Sequence, residues 1–194
     1  FAADGAGLGI VHRDVTPGNV FLGRDGAVKL GDFGVAKARG RTAVTTRGQI
    51  KGTLAYMAPE QARGEEVDAR VDLYAVGLLL YEMLAGRRYL EGENEAEILK
   101  AAMDPPAFTP AALPAGVGDA ITALLRRALH PLADGRHRRA SDLERELRQA
   151  AAGLCSAAGP ASVAALLGGL TAPRAASPLH ASPAPSATSE RERP

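Results

Sequence analysis

Residues Val11 to Gly34 read VHRDVTPGNVFLGRDGAVKLGDFG. His12-Arg13-Asp14 stands ahead of Asn19. Two short apolar-alternating runs, Val20 to Leu22 and Ala27 to Leu30, follow on either side of Asp25-Gly26, and Asp32-Phe33-Gly34 closes the stretch. Asp-Gly between alternating runs is a signal for a tight hairpin. An acid, an amide and a second acid are therefore expected on loops braced by one hairpin. That arrangement would suit a reacting hydroxyl and one or two magnesium ions around a triphosphate.

Outward from this stretch the chain turns helical. Ile10 and Val11 are expected as a short strand leading in, after a frayed, Ala- and Gly-rich helix end over Phe1 to Gly9. From Asp32 to Glu60 the sequence is polar and without period, and long irregular segments inside a domain are usually functional. Asp72 to Ala85 (DLYAVGLLLYEMLA) is apolar on nearly every face, the pattern of a helix buried all round, with Gly86 as its C-cap. Three amphipathic helices follow. Asn94 to Met103 stops before Pro105-Pro106, and Val117 to His130 stops at Pro131. Ser141 to Ala152 opens on a capping-box pattern with Glu144.

The final segment, residues 153–194, reads as an Ala-, Pro- and Ser-rich disordered tail, because it offers too little apolar surface to offset its ordering entropy. Within it, Ser162 could cap a short helix from Val163 towards Leu167, ended by Gly168-Gly169.

Composition narrows the classes. At 194 residues the chain suits one domain plus a tail. Aromatic residues are only 4%, with no Trp, so Ala, Leu and Val must do most of the packing. A net charge of +1 argues against a nucleic-acid surface. No apolar run approaches a membrane span. The single Cys155 cannot form an internal disulfide, which favours a reducing, cytoplasmic setting. Phe1, not Met, opens the chain, so its start reads as a cut.

An isolated His-Arg-Asp or Asp-Phe-Gly is weak evidence, but their order and spacing form one unit. The unit resembles the catalytic core of the protein kinase superfamily. Gly52-Thr53-Leu54-Ala55-Tyr56-Met57-Ala58-Pro59-Glu60 is similar to the end of an activation segment of the serine/threonine type. Val71-Asp72-Leu73-Tyr74-Ala75-Val76-Gly77 is similar to the start of the family's central helix. The likeness covers about Ile10 to Ala150, and its style resembles bacterial, eukaryotic-like serine/threonine kinases.

The resemblance implies a mainly α fold over residues 1–152: a kinase C-terminal lobe whose short β-hairpin carries the catalytic and metal loops. It implies ATP and magnesium as cofactors, and a protein with Ser or Thr hydroxyls as substrate. Asp14 would be the base, Asn19 and Asp32 the magnesium ligands, and Phe21 the floor of the adenine pocket, against the plainer reading of a core strand residue. Arg13 would bind a phosphate on the activation segment, with Thr42, Thr45 and Thr46 as candidate acceptors, each also an ordinary loop residue. Thr53 would pack against Asp14.

His12, Phe33, Glu60, Asp72 and Arg136 take structural roles. Asp72 would cap the His12-Arg13 backbone, and Glu60 would pair with Arg136, or with Arg138 in its place. Leu79 and Met83 would support an adenine-side column.

Two positions depart from the family pattern. Thr16 stands where serine/threonine members usually carry a lysine, which removes a cation beside developing charge. Gly18 replaces a frequent substrate-reading acid, leaving Glu82 as an acidic contact or a structural ion pair. The glycine-rich loop, strand lysine and helix glutamate are not found in this sequence; in the family they belong to an N-terminal lobe, upstream of Phe1. Little turnover is therefore expected of this chain alone, and the alternative is a kinase remnant acting as a protein-binding module. Ser177-Pro178 and Ser182-Pro183 are possible phosphate acceptors in the tail.

Overall fold

The computed structural model describes residues 10–32, 52–152 and 159–171. The hairpin comes first, with β1 Val20–Leu22 antiparallel to β2 Val28–Leu30 and Phe21 opposite Lys29. The helices α1 Pro59–Ala62, α2 Arg70–Ala85, α3 Glu95–Met103, α4 Asp119–Ala128, α5 Ala140–Ala151 and α6 Pro160–Thr171 follow.

The central helix is α2. It buries Val71, Leu73, Tyr74, Ala75, Gly77, Leu78 and Tyr81, and ends at Gly86, whose left-handed φ of 69° lets its N–H reach the Glu82 carbonyl. No residue of its first three turns is exposed. Its last turn opens to solvent in this chain, where Met83 is 74% exposed, while Leu79 packs on the core. The core joins α2 to Tyr56, Ala58, Leu90, Ile98, Ile121, Leu125 and Leu129. Leu124, Ala128 and Leu143 extend it between α4 and α5. This is a helical lobe with one small two-stranded sheet.

The tight hairpin expected about Asp25-Gly26 is present: the chain turns from Gly23 to Gly26, with Gly26 at positive φ (80°), Gly26 N–H on the Gly23 carbonyl and Gly23 N–H on the Ala27 carbonyl. Three other local expectations are corrected. Ile10 and Val11 form no strand. Helix α5 starts at Ala140, which places Ser141 inside the first turn. No side chain caps it, and Glu144 pairs with Arg148 instead. The helix expected near Val163 starts earlier, at Pro160, whose fixed φ suits a first helical position, and runs through Gly168-Gly169 to Thr171.

By contrast, α3 has the cap its sequence announces, with Asn94 Oδ1 accepting from Glu97 N at 3.0 Å.

Candidate active site

The stretch from His12 to Asp32 wraps against the first turn of α2. Asp72 accepts two backbone hydrogen bonds there, from His12 N through Oδ2 and from Arg13 N through Oδ1, each at 2.8 Å. A carboxylate near a helix N-terminus is also favourably placed against the helix dipole. His12 is buried, its Nε2 lies 2.9 Å from the Gly31 carbonyl, and its Nδ1 accepts from Asp14 N at 3.3 Å. With Nδ1 accepting, the Nε2–H donates to Gly31. One ring therefore ties the loop that precedes the hairpin to the residue that follows it.

Two non-glycine residues here hold left-handed backbone, Arg13 (φ 64°) and Asp32 (φ 54°). Such residues cost about 1–3 kcal/mol each and persist where the surroundings over-determine them. Arg13 is fixed by the Asp72 bonds and by its carbonyl, which accepts from Gln61 Nε2 at 2.9 Å.

Asn19 closes a 3-10 turn over Pro17–Asn19 and enters β1. Its Nδ2 donates to the Asp14 carbonyl at 2.8 Å and to Asp14 Oδ2 at 3.1 Å. That use of both amide hydrogens leaves Oδ1 as the atom of this side chain that could meet a cation. Gly31 N–H donates to the Asn19 carbonyl at 2.9 Å, so the hairpin ladder places Asn19 at one strand end and Asp32 just past the other. An amide oxygen and a carboxylate fit a hard cation such as magnesium, which takes few protein ligands and shares the rest with water and substrate phosphates.

Thr16 is buried and its carbonyl accepts from Asn19 N at 3.0 Å. With Arg13, Asp14, Thr53, Tyr56 and Gln61 it lines a small cleft under the loop. The sequence expectation had paired Thr53 with Asp14, and both face this cleft. Phe21 is not a core residue: it is 53% exposed, with its ring edge over Gly31. Leu22, Val28 and Leu30 are exposed as well.

Glu60 and Arg136 form a bidentate pair, Nη1 to Oε1 at 2.7 Å and Nη2 to Oε2 at 2.8 Å, so Arg136 and not Arg138 is the partner. Glu82 is engaged by Tyr56 Oη and lies 3.9 Å from Arg88. Burial, and then the Glu82 contact, push the Tyr56 hydroxyl up to about 12. Phe33, Thr42, Thr45 and Thr46, and the tail serines Ser177 and Ser182, lie outside the described residues. Gln61 and Tyr56 were not singled out by sequence. The available signal was position alone: Gln61 follows Glu60 in a short helix, where successive residues face different sides.

The family model for the protein kinase domain matches residues 7–137. The chain is 42% identical over 125 residues to the tyrosine-protein kinase MasK of Myxococcus xanthus, covering 64% of this chain and 19% of that protein. It is 38% identical over 142 residues to the probable serine/threonine-protein kinase PknB of Bifidobacterium longum (72% and 21%). It is 37% identical over 141 residues to the serine/threonine-protein kinase PknB of Mycolicibacterium smegmatis (72% and 23%). The chain thus spans about a fifth of the length of these relatives.

Proposed function

The chain belongs to the protein kinase family, of the bacterial, eukaryotic-like kind, and we propose that it carries the catalytic half of a site transferring the γ-phosphate of ATP to Ser or Thr hydroxyls of proteins. The observation carrying this reading is the Asn19 amide held on Asp14. It keeps a base and a magnesium ligand at fixed separation, with Asp32 delivered by the same hairpin.

In this reading the Asp14 carboxylate orients the acceptor hydroxyl and takes its proton as the oxygen attacks the γ-phosphorus and the bond to ADP breaks. Asn19 and Asp32 would hold magnesium, which would supply positive charge against the phosphate oxygens. The transition state is loose, so the chain's contribution is position and charge rather than covalent chemistry. Phe21 offers an exposed apolar surface for the adenine face. Phe21 on one face of the hairpin and Leu22, Val28 and Leu30 on the other are all exposed, which supports completion of the cleft by a second lobe bearing the phosphate-clamping groups. Thr16 supplies no cation beside the transferring phosphate, so its place falls to magnesium or to residues of that lobe.

The test is γ-phosphate transfer by the full-length protein to Ser, Thr and Tyr peptides with magnesium. We expect label on Ser or Thr and a fall of about 10²–10⁴-fold in Asp14→Asn, with Asp32→Asn losing activity and needing more added magnesium to recover any of it. Full activity in Asp14→Asn would overturn the assignment of the base, and label on Tyr alone would overturn the acceptor class. No transfer at all would favour a binding module.

A further inference from the structure

We propose that Gln61 is a positioning residue for the Asp14 carboxylate, acting by fixing the plane of the Arg13–Asp14 peptide. The inference rests on the reading of Asp14 as the base.

Arg13 sits in a left-handed conformation that a side-chain-bearing residue adopts only at a cost, so its backbone must be held from both sides. On the upstream side the hold is complete: Asp72 accepts from His12 N and Arg13 N, each at 2.8 Å. Neither bond constrains rotation about the next dihedral, which swings the Arg13–Asp14 peptide and with it the Asp14 side chain. That peptide has two handles. Its N–H donates to His12 Nδ1 at 3.3 Å, at the long end for a hydrogen bond. Its carbonyl accepts from Gln61 Nε2 at 2.9 Å, ordinary strong geometry.

Among the described residues, Gln61 is the side chain that donates to this carbonyl. Turning the plane would break that bond, and by moving Asp14 it would disturb the 2.8 and 3.1 Å bonds from Asn19.

Gln61 is itself well held. It belongs to α1, whose preceding residue, Glu60, is gripped by the buried Arg136. Successive helical residues point about 100° apart, so one turn presents Glu60 to Arg136 and Gln61 to the catalytic loop. The segment that ends in Pro59-Glu60 is thereby connected to the base through a single side-chain amide. The position requires a donor. A thioether of the same length removes it, and a carboxylate sets lone pairs against the carbonyl oxygen until it is protonated.

The test compares Gln61→Met and Gln61→Glu with the wild type in the full-length protein. In Gln61→Met, amide exchange at Asp14 should speed by about tenfold or more, while the His12 and Arg13 amides held by Asp72 keep their rates. The value of kcat should fall by about 10- to 100-fold, the scale of a sub-ångström to one-ångström misplacement, with KM for ATP within about twofold. Such a split is not produced by loss of fold.

In Gln61→Glu the deficit relative to wild type should shrink as pH falls from about 8 to about 5.5, because protonation restores a donor, whereas the Gln61→Met deficit stays flat. The charged and titratable groups facing the introduced carboxyl are Arg13, Asp14, Asp72 and Tyr56 across the cleft, with Glu60 and Arg63 on either side in sequence.

Unchanged exchange at Asp14 in Gln61→Met overturns the proposal, as does altered exchange with unchanged kcat. An inactive wild type that still shows the Asp14-specific change overturns the base assignment and supports the placement of the peptide.

Discussion

Arg136 is 2% exposed and donates from all three of its nitrogens. Beyond the two bonds to Glu60, its Nε reaches the His130 carbonyl at 2.7 Å, its Nη2 the Pro131 carbonyl at 2.9 Å and its Nη1 the Arg70 carbonyl at 3.3 Å. Its Cζ lies 4.5 Å from the centre of the Tyr74 ring. A guanidinium this completely bonded tolerates burial that a lone charge would not. Replacing one partner strands the other, so Glu60→Gln or Arg136→Met should each lower stability by about 3–5 kcal/mol in a urea titration.

Pairing both positions with apolar residues should recover part of that loss, and a double variant no better than the worse single would argue against it. At this scale the sequence was legible wherever a motif fixed the spacing, as for Asp72, Asn19 and Glu60. It favoured Arg136 as the partner of Glu60 and kept Arg138 as the fallback, because two arginines two positions apart differ only in which way the chain turns after the 3-10 turn Ala133–Gly135. Gln61 was illegible, since one polar residue beside a motif carries no period and no charge.

Helices α2 and α4 cross at a glycine. A β-carbon at Gly77 would lie 3.0 Å from Ala128 Cβ and 3.1 Å from Leu129 Cδ2, so the two helices approach as closely as a missing side chain permits. Gly77→Val should therefore cost about 1–3 kcal/mol by overpacking. That exceeds the gain from leaving glycine in a helix, and the melting temperature should show it; a rise would mean that α4 moves aside freely.

Apolar periodicity located every long helix of the lobe, because burial of one face is what selects them. It misplaced ends, because ends are set by single hydrogen bonds. Asn94 captures the Glu97 amide and caps as its residue type suggests. Ser141 captures nothing, because α5 has already begun at Ala140. The hairpin tip did behave as its residue types suggest: Asp25 uses its carboxylate on Ala27 N at 3.1 Å and leaves the left-handed position to Gly26.

At the scale of the whole molecule, the fold holds the Tyr56, Tyr74 and Tyr89 hydroxyls protonated beyond their ordinary range. Burial pushes Tyr89 up to about 12 and raises Tyr74 as well, and Tyr56 reaches about 12 with help from Glu82. An unfolded tyrosine ionises near 10. From about pH 10 to about 12 the unfolded chain therefore sheds protons that the folded chain keeps, and stability must fall as pH rises. Below about pH 10 both states are protonated and this contribution is fully present.

The melting temperature is expected to decline over that window, and Tyr56→Phe should make the decline shallower; an identical slope would remove Tyr56 from the account. Among the described residues no helix is long and apolar enough to cross a membrane.

The hairpin that holds Asn19 and Asp32 has one further consequence, for changes in chain length. The distance between its two oxygen donors is set at the open end, by the Val20–Leu30 pair and the Gly31-to-Asn19 bond, and not by the loop from Gly23 to Ala27. Insertions at the tip leave that separation unaltered. Their effect falls elsewhere, on the C-terminal helix, because the Pro160 carbonyl occupies the space where a Gly26 β-carbon would be. A deletion of one residue within either strand slips the register and exchanges the two faces. A change of length at the tip thus acts on the packing against α6, and a change within the strands acts on the separation of Asn19 and Asp32.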